Sequence, residues 1–435
     1  MKNTSRPCPA FPPCSNHTAL IGLVLLIAIP RLAWAGGLQA GDKVAICGDS
    51  ITEQKIYSAM IETYLIACQP QPKLQAHQFG WSGEWAGGFR RRMEFEVLPF
   101  QPTVATTCYG MNDGAYAEIN PERQQKYRED TESFIKEFKD AGVRFIVVGS
   151  PGAVDSDTFD QRARKGYPAD AYNTNTLADL TEIARQVAAG QGVAFADIHR
   201  PMMEVMAKAK AKYGGRYHVA GSDGIHPAAN GHLVMAYAML KALGCDGELG
   251  TITVDLAKDK AAASSGHKVV SCQQGRIELE STRYPFCFFG DPADPNSARG
   301  VLEFLPFNQD LNRFQLVIQS ASSPRLKITW GAESKDFTAA ELAKGINLAE
   351  AFPDNPFSAP FQAVYDAVLT QQKFETPAVK SILHALPGWT KTLPEEQEAY
   401  NQIARGVVRK AQQLSAASIA AVVPVRHSLL VEPVQ

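Results

Sequence analysis

The chain has 435 residues, 45% of them hydrophobic and 20% charged, with a formal net charge of −2. This is a globular composition, long enough for one large domain and a smaller unit, and it excludes a predominantly disordered chain. With charge near balance, no basic field points to nucleic acid, and the sequence holds no heptads, internal repeats or charge runs.

The first segment departs from that pattern. Lys2 and Arg6 sit in a polar leader, "ALIGLVLLIAIP" follows, and Ala33-Trp34-Ala35 makes an A-x-A pattern before Gly36. Residues 1–35 read as a secretory signal peptide, which predicts a secreted or periplasmic protein with no stable membrane insertion after cleavage. The apolar run falls short of the roughly 20 residues of a comfortable span, and an uncleaved anchor is the other reading. Cleavage removes Lys2, Arg6 and Arg31 and no acid, so the mature chain is more acidic. It also removes Cys8 and Cys14, leaving Cys47, Cys68, Cys108, Cys245, Cys272 and Cys287. Export permits disulfides. Cys47 and Cys108 lie in apolar runs and read as buried thiols, whereas Cys272 and Cys287 flank a possible hairpin and could pair. No Cys or His spacing suggests zinc, and no cofactor is expected.

From Ala40 to Gly244, strand-like and helix-like segments alternate. "KVAIC" is followed by a helix over "KIYSAMIETYLIAC", "LQAHQFG" reads as a second strand and "TVATTCYG" as a third. A helix over "PERQQKYREDTESFIKEFKDAG" is punctuated by Pro121 and Gly142, and a fourth strand, "RFIVVGSP", follows. Then come the helix "LADLTEIARQVAAGQG", a fifth strand in "VAFADIH" and a closing helix, "NGHLVMAYAMLKALG". This alternation predicts a parallel five-stranded sheet covered on both faces, over residues 36–248, with ligands outside the C-terminal strand ends. Residues 249–345 read as a β-rich accessory unit, with strands in "TITVDL", "HKVVSC", "RIELEST", "VLEFLPF", "FQLVIQS" and "LKITWG". From Thr338 the chain turns helical again, and residues 346–435 read as a helical segment ending in a loose tail, "AAVVPVRHSLLVEPVQ".

The chemistry-bearing residues fall at the predicted ligand end of the sheet. Ser50 follows the first strand in "VAICGDSITEQ". A serine hydroxyl is a weak nucleophile without a base. "GSDGIHPAANGH" supplies His226 with Asp223 three residues before it, close enough for the carboxylate to reach Nδ1 and hold the tautomer whose Nε2 takes the Ser50 proton. Acyl transfer also needs donors aimed at an oxyanion. The Ser50 N–H, the Asn112 side-chain amide in "CYGMNDGAY" and a glycine N–H of "FGWSGEWAGGF" all fall at this end.

"GDSITE", "GWSGEW", "GMND" and "DGIHP" occur in the order and strand-end positions of the SGNH (GDSL) hydrolases, and the stretch Lys43–Gly244 resembles that superfamily. The resemblance implies a flavodoxin-like three-layer α/β/α sandwich and a serine ester hydrolase. In it Ser50 would be the nucleophile, His226 the base, Asp223 its partner, and Ser50, Gly83 and Asn112 the oxyanion donors, with Gly80 a near rival of Gly83. The G-x-S-x-G elbow of α/β-hydrolases is absent.

Each residue also has a plainer reading. Ser50 could be only a helix N-cap, Asp223 a loop cap and Asn112 a turn residue. Asp49 suits a helix start, and His232 reads as a helix-packing residue rather than a metal ligand beside Asp223 and His226. Trp81, Trp85, Tyr109 and Tyr116 are either core aromatics or a sugar-stacking wall, and Trp81, Tyr109 and Met111 are the candidate substrate-binding residues. Arg90 to Arg92 read as a solvated helix face or a contact for an anionic substrate. The reading this favours is an exported serine esterase that removes O-acyl groups, acetyl among them, from a carbohydrate or small-molecule ester. A lipase or lysophospholipase, a transacylase and a non-catalytic glycan-binding module are the rivals.

Overall fold

Five short strands, three of them ending at a glycine, build the central sheet. A computed structural model describes residues 37–159 and 166–434, so the expected leader lies outside the described residues. Strands β1 (Lys43–Gly48), β2 (Gln75–Gly80), β3 (Val104–Cys108), β4 (Phe145–Gly149) and β5 (Ala194–Ala196) are all parallel, in the order β2-β1-β3-β4-β5. Side chains alternate between the faces: Val44 and Ile46 enter one core, Ala45 and Cys47 the other. Burial on both faces is why β1 and β4 read as nearly continuous apolar runs. Helices α1 (Ser50–Glu53), α2 (Tyr57–Ala67), α3 (Ala86–Glu96), α4 (Pro121–Asp140), α5 (Ala178–Gln191), α6 (His199–Tyr213) and α7 (Ala229–Ala242) follow in chain order. Of these, α2, α6 and α7 cover one face and α3, α4 and α5 the other. The expected parallel α/β/α sandwich is what the chain forms, although the fifth strand is only Ala194–Ala196 and His199 already begins a helix.

The β-rich part forms two sheets. Strands β6 (Glu248–Asp255), β7 (Lys260–Ala263), β10 (Arg313–Gln319) and β13 (Ile346–Asn347) pair in the order β13-β10-β6-β7. Strands β8 (His267–Gln273), β9 (Arg276–Ser281), β11 (Arg325–Trp330), β12 (Glu333–Thr338) and β14 (Val425–Pro433) make the order β12-β11-β14-β9-β8. Three expectations are corrected here. "VLEFLPF" is not a strand but turns leading into a short helix, Phe307–Leu311, with Phe307 and Leu311 buried in an aromatic cluster. The helix expected after Thr338 is broken into Ala339–Lys344 and Leu348–Ala351 around β13. The tail is not loose: β14 pairs with β9 and β11 at the centre of its sheet, with Val425, His427, Leu429 and Val431 turned inward. Cys272 and Cys287 do not pair; all six described cysteines are free. No helix among the described residues is long and apolar enough to cross a membrane.

Two long helices close the chain before β14, α8 (Ser358–Pro377) and α9 (Gln397–Ala420). Strand β2 is an edge strand, and edges need cover. α8 supplies it with side chains that act as a substitute strand: Gln371 Nε2 donates to Ala76 O at 2.7 Å, and Glu375 Oε2 accepts from Gln78 N–H at 2.9 Å.

A buried relay ties the two β-rich sheets together. Trp330 Nε1–H donates to His427 Nδ1 at 3.1 Å, and His427 Nε2 lies 2.9 Å from Ser281 Oγ. Ser281 Oγ lies 2.8 Å from His267 Nδ1, whose Nε2 reaches Leu249 O at 2.9 Å. An indole only donates and a carbonyl only accepts, so every proton along the chain is assigned and both imidazoles are neutral. Burial, with the neighbouring His267, pushes His427 down to about 3, and burial likewise lowers His267. In the unfolded chain both rings return to an ordinary imidazole value near 6.5. This stability is therefore whole above that value and is lost as pH falls from it toward the folded value. Urea midpoints at pH 7.5 and 4.5 should show a large drop in the wild type and a smaller one in His427→Gln. An equal drop in both would contradict the assignment.

Candidate active site

The site lies at the C-terminal ends of β1, β2 and β3. Gly48 ends β1, and Asp49 caps the short helix that follows by accepting the Ile51 N–H at 3.0 Å. Ser50 is the first residue of that helix and is half-buried. Its hydroxyl is therefore not the cap. His226 Nε2 lies 2.8 Å from Ser50 Oγ, and His226 Nδ1 lies 2.6 Å from Asp223 Oδ2. The other Asp223 oxygen accepts the Ile225 and His226 N–H groups, both at 2.9 Å, which fixes the carboxylate against the ring it faces. Partial burial opposes the charge on Asp223, but the His226 backbone and ring bonds and the Ile225 N–H outweigh it and hold the carboxyl below the usual range. The loop is propped from behind by the fully buried Asp155, which accepts the Val219 N–H at 2.9 Å while its own N–H donates to Gly224 O at 2.9 Å.

The three candidate donors lie just after β1, β2 and β3. Neither the Ser50 N–H nor the Gly83 N–H has an acceptor among the described residues. Asn112 Nδ2 donates to Glu84 O at 3.0 Å and, more weakly, to Asp49 Oδ2 at 3.4 Å, while its Oδ1 accepts from Tyr116 OH at 3.1 Å. The rival glycine plays another part. The Gly80 N–H is given to Gln78 Oε1 at 3.2 Å, and a Cβ there would sit 2.2 Å from the backbone nitrogen of Glu53. Gly80 is what lets β2 pass close beneath α1. Gly83 has φ +74° with open space around it, a conformation that suits glycine in an exposed turn.

Asp49 is buried, and burial pushes its carboxyl up to about 7, with the Ile51 N–H opposing. The unfolded carboxyl has an ordinary value near 3.9. The folded chain thus holds a proton that the unfolded chain releases, so stability falls as pH rises between those values and stays lowered above the upper one. Asp49→Asn keeps an oxygen for the Ile51 N–H and removes the charge. It is expected to raise the melting temperature by several degrees at pH 8 and to leave it unchanged at pH 4. A mutant no more stable than the wild type at pH 8 would rule this out.

The other sequence candidates are placed as follows. Tyr109 and Met111 are each 2% exposed. Tyr109 stacks on Phe89 and donates to Glu84 Oε2 at 2.9 Å; both residues belong to the core and offer no face to a substrate, which corrects that expectation. Trp81 is half-buried at the rim, with Arg92 5.1 Å and Lys380 4.8 Å from its ring centroid and the His384 ring at 4.7 Å. Trp85 is exposed, and Tyr116 stacks on Tyr172. Of the three arginines, Arg90 and Arg91 are solvated but Arg92 is buried, paired to both Glu84 oxygens at 2.7 Å and to Glu96 at 3.0 Å. His232 is buried, stacks on Tyr57 and reaches Gln54 Oε1 at 2.7 Å; burial and the neighbouring His226 push it down to about 3. No cluster of His, Cys, Asp and Glu among the described residues could hold a metal. Glu84 and Lys380 escaped the sequence reading. The Glu84–Arg92 spacing of eight was the available signal for one; nothing local marks the other.

Residues 46–234 match the model of the GDSL-like Lipase/Acylhydrolase family. No curated protein matches the chain. Among solved structures, the chain is similar to a gut microbial diltiazem-metabolizing enzyme, at 20% identity and a TM-score of 0.68, over 92% of this chain and 99% of that one. That likeness shows a shared fold extending through the β-rich and C-terminal parts. An acetylxylan esterase from Geobacillus stearothermophilus aligns at 21% identity over 48% of this chain and 96% of its own, with a TM-score of 0.39.

Proposed function

From the premise that residues 46–234 are a GDSL-like lipase/acylhydrolase domain, which makes the protein a carboxylic ester hydrolase, we propose that Ser50 is its nucleophile, with His226 the general base and Asp223 the partner that orients it. The observation that carries this reading is the unbroken line from Asp223 through His226 to Ser50 Oγ, at 2.6 and 2.8 Å, beside two N–H groups without acceptors among the described residues. His226 takes the Ser50 proton as the hydroxyl attacks the ester carbonyl. The oxyanion rests on the Ser50 and Gly83 N–H groups and the Asn112 amide, and the alcohol leaves with the proton from His226. Water, activated by the same ring, then frees the acid.

The substrates we propose are short O-acyl esters, acetyl foremost, on a carbohydrate or small molecule, encountered outside the cytoplasm. The apolar leader supports export. Hydrolysis of p-nitrophenyl acetate, butyrate and octanoate tests the acyl preference. Turnover should be highest with acetate; a maximum at octanoate would favour a lipase. Release of acetate from acetylated xylo-oligosaccharides, with and without an added sugar acceptor, separates carbohydrate deacetylation from transacylation.

A further inference from the structure

We propose that Lys380, on the far C-terminal helical segment, is a positioning residue for ester cleavage: through Glu53 it fixes Ser82 and so aims the Gly83 N–H at the developing oxyanion. The inference rests on the donor role of Gly83 proposed above.

The turn that carries Gly83 has little packing to hold it. Ser82 and Gly83 are exposed, and nothing lies within 4 Å of where a Gly83 side chain would begin. Its position must come from polar ties on either side. On the far side, Glu84 is buried against Arg92 and Tyr109. On the near side, Ser82 donates its N–H and its hydroxyl to one oxygen of Glu53, at 2.5 and 2.6 Å. Glu53 is the last residue of α1, whose first residue is Ser50. One carboxylate thus joins the nucleophile's helix to the donor's turn, a juxtaposition that must hold to a fraction of an ångström for the oxyanion donors to count.

Lys380 keeps that carboxylate in place. Its Nζ lies 2.9 Å from each Glu53 oxygen, with the two side chains 26% and 20% exposed. This is more sheltered than a surface pair, and the bidentate contact fixes the carboxylate's rotation as well as its distance. The ammonium sits over the face of Trp81, 4.8 Å from the ring centroid, and Trp81 N–H is tied to Gly48 O at 3.0 Å. Partial desolvation opposes the charge on Glu53, but the bonds from Ser82 and Lys380 outweigh it and hold its carboxyl below the usual range. The chain delivers Lys380 here through an unusual turn. Pro377 ends α8, and Ala378–Ile382 winds as a π-type turn, a rare form associated with functional sites.

The test uses the full chain and two readouts: turnover of p-nitrophenyl acetate, and the rate at which a fluorophosphonate labels Ser50, followed by intact mass. Lys380→Met should lower kcat about tenfold with KM within twofold, and slow labelling in parallel. Lys380→Arg should recover most of both. Glu53→Gln combined with Lys380→Met should be no worse than the weaker single variant, because the lysine acts through the glutamate. The proposal is overturned by wild-type kcat in Lys380→Met, by losses that multiply in the double variant, or by a drop in melting temperature with kcat per labelled site unchanged. A wild type that neither turns over the ester nor labels at Ser50 would instead remove the hydrolase reading, and the brace with it.

Discussion

Ser50→Ala is expected to lower kcat on any accepted ester by about 10⁴-fold or more, the scale seen when a serine nucleophile is removed from a triad. The folded state should be nearly unaffected. The plainer role for Ser50, capping a helix, is already filled: Asp49 accepts the Ile51 N–H at 3.0 Å, and the Ser50 hydroxyl faces His226. The substitution therefore deletes one half-buried hydroxyl without orphaning a backbone donor. Residual turnover would come from donors that remain, the N–H groups and the Asn112 amide, which polarise a carbonyl for attack by water. Steady-state kinetics and melting curves on both forms make the check. Retention of more than about a tenth of wild-type kcat, with the fold intact, would mean that the line Asp223–His226–Ser50 does not carry the reaction. A glycan-binding module would show the opposite signature, with ligand affinity unchanged by Ser50→Ala and no turnover in either form.

The parts of this site that were legible in the sequence are those that local chemistry writes down. Gly48-Asp49-Ser50 breaks an apolar run at a strand end, and Asp223 and His226 lie three apart in one loop, so their meeting needs only the alternating β/α pattern to bring two strand ends together. Tyr109 and Met111 show that a loop position is not exposure. Their backbone is at the rim, but Phe89 and Tyr172 claim the side chain of one and the carbonyl of the other. Arg92 makes the same point: three consecutive arginines look like one solvated face, yet a helix turns each by about 100°, and one points at Glu84. The strand β14 carries a readable alternation, Val425, His427, Leu429, Val431, but its partners, β9 and β11, lie about a hundred or more residues earlier and no turn announces them. Long-range pairing is what a single sequence conceals best. Lys380 is the functional form of the same difficulty, since it reaches Glu53 across most of the chain.

Glu375→Ala should be the most damaging change outside the active site, because it leaves several buried donors without their acceptor, at about 1–3 kcal/mol for each such group. Glu375 is 1% exposed and serves three donors at once: His77 Nδ1 at 2.6 Å, Gln78 N–H at 2.9 Å and Gln371 Nε2 at 3.0 Å. Two of those donors belong to the edge strand β2. Truncation leaves them buried without an acceptor and without room for bulk water, and that desolvation, rather than the lost attraction, supplies most of the cost. The surroundings cannot easily compensate. Gln372 is committed to Glu62 at 2.7 Å and to Ser58 at 2.7 Å, and burial, with the facing Glu375, pushes the Glu62 carboxyl well up. Glu375→Gln keeps one oxygen and should lose less. Glu398, whose pairing with Arg405 on α9 is solvent-exposed, is the control: Glu398→Ala should cost far less. Urea unfolding of the three variants separates the cases. If Glu375→Ala falls no further than Glu398→Ala, then α8 is held by its apolar face, Phe361, Val364 and Val368, and the polar cover of β2 contributes little. If it falls as expected, activity should fall with it at temperatures where α8 loosens, because the same helix runs directly into the turn that carries Lys380 to Glu53.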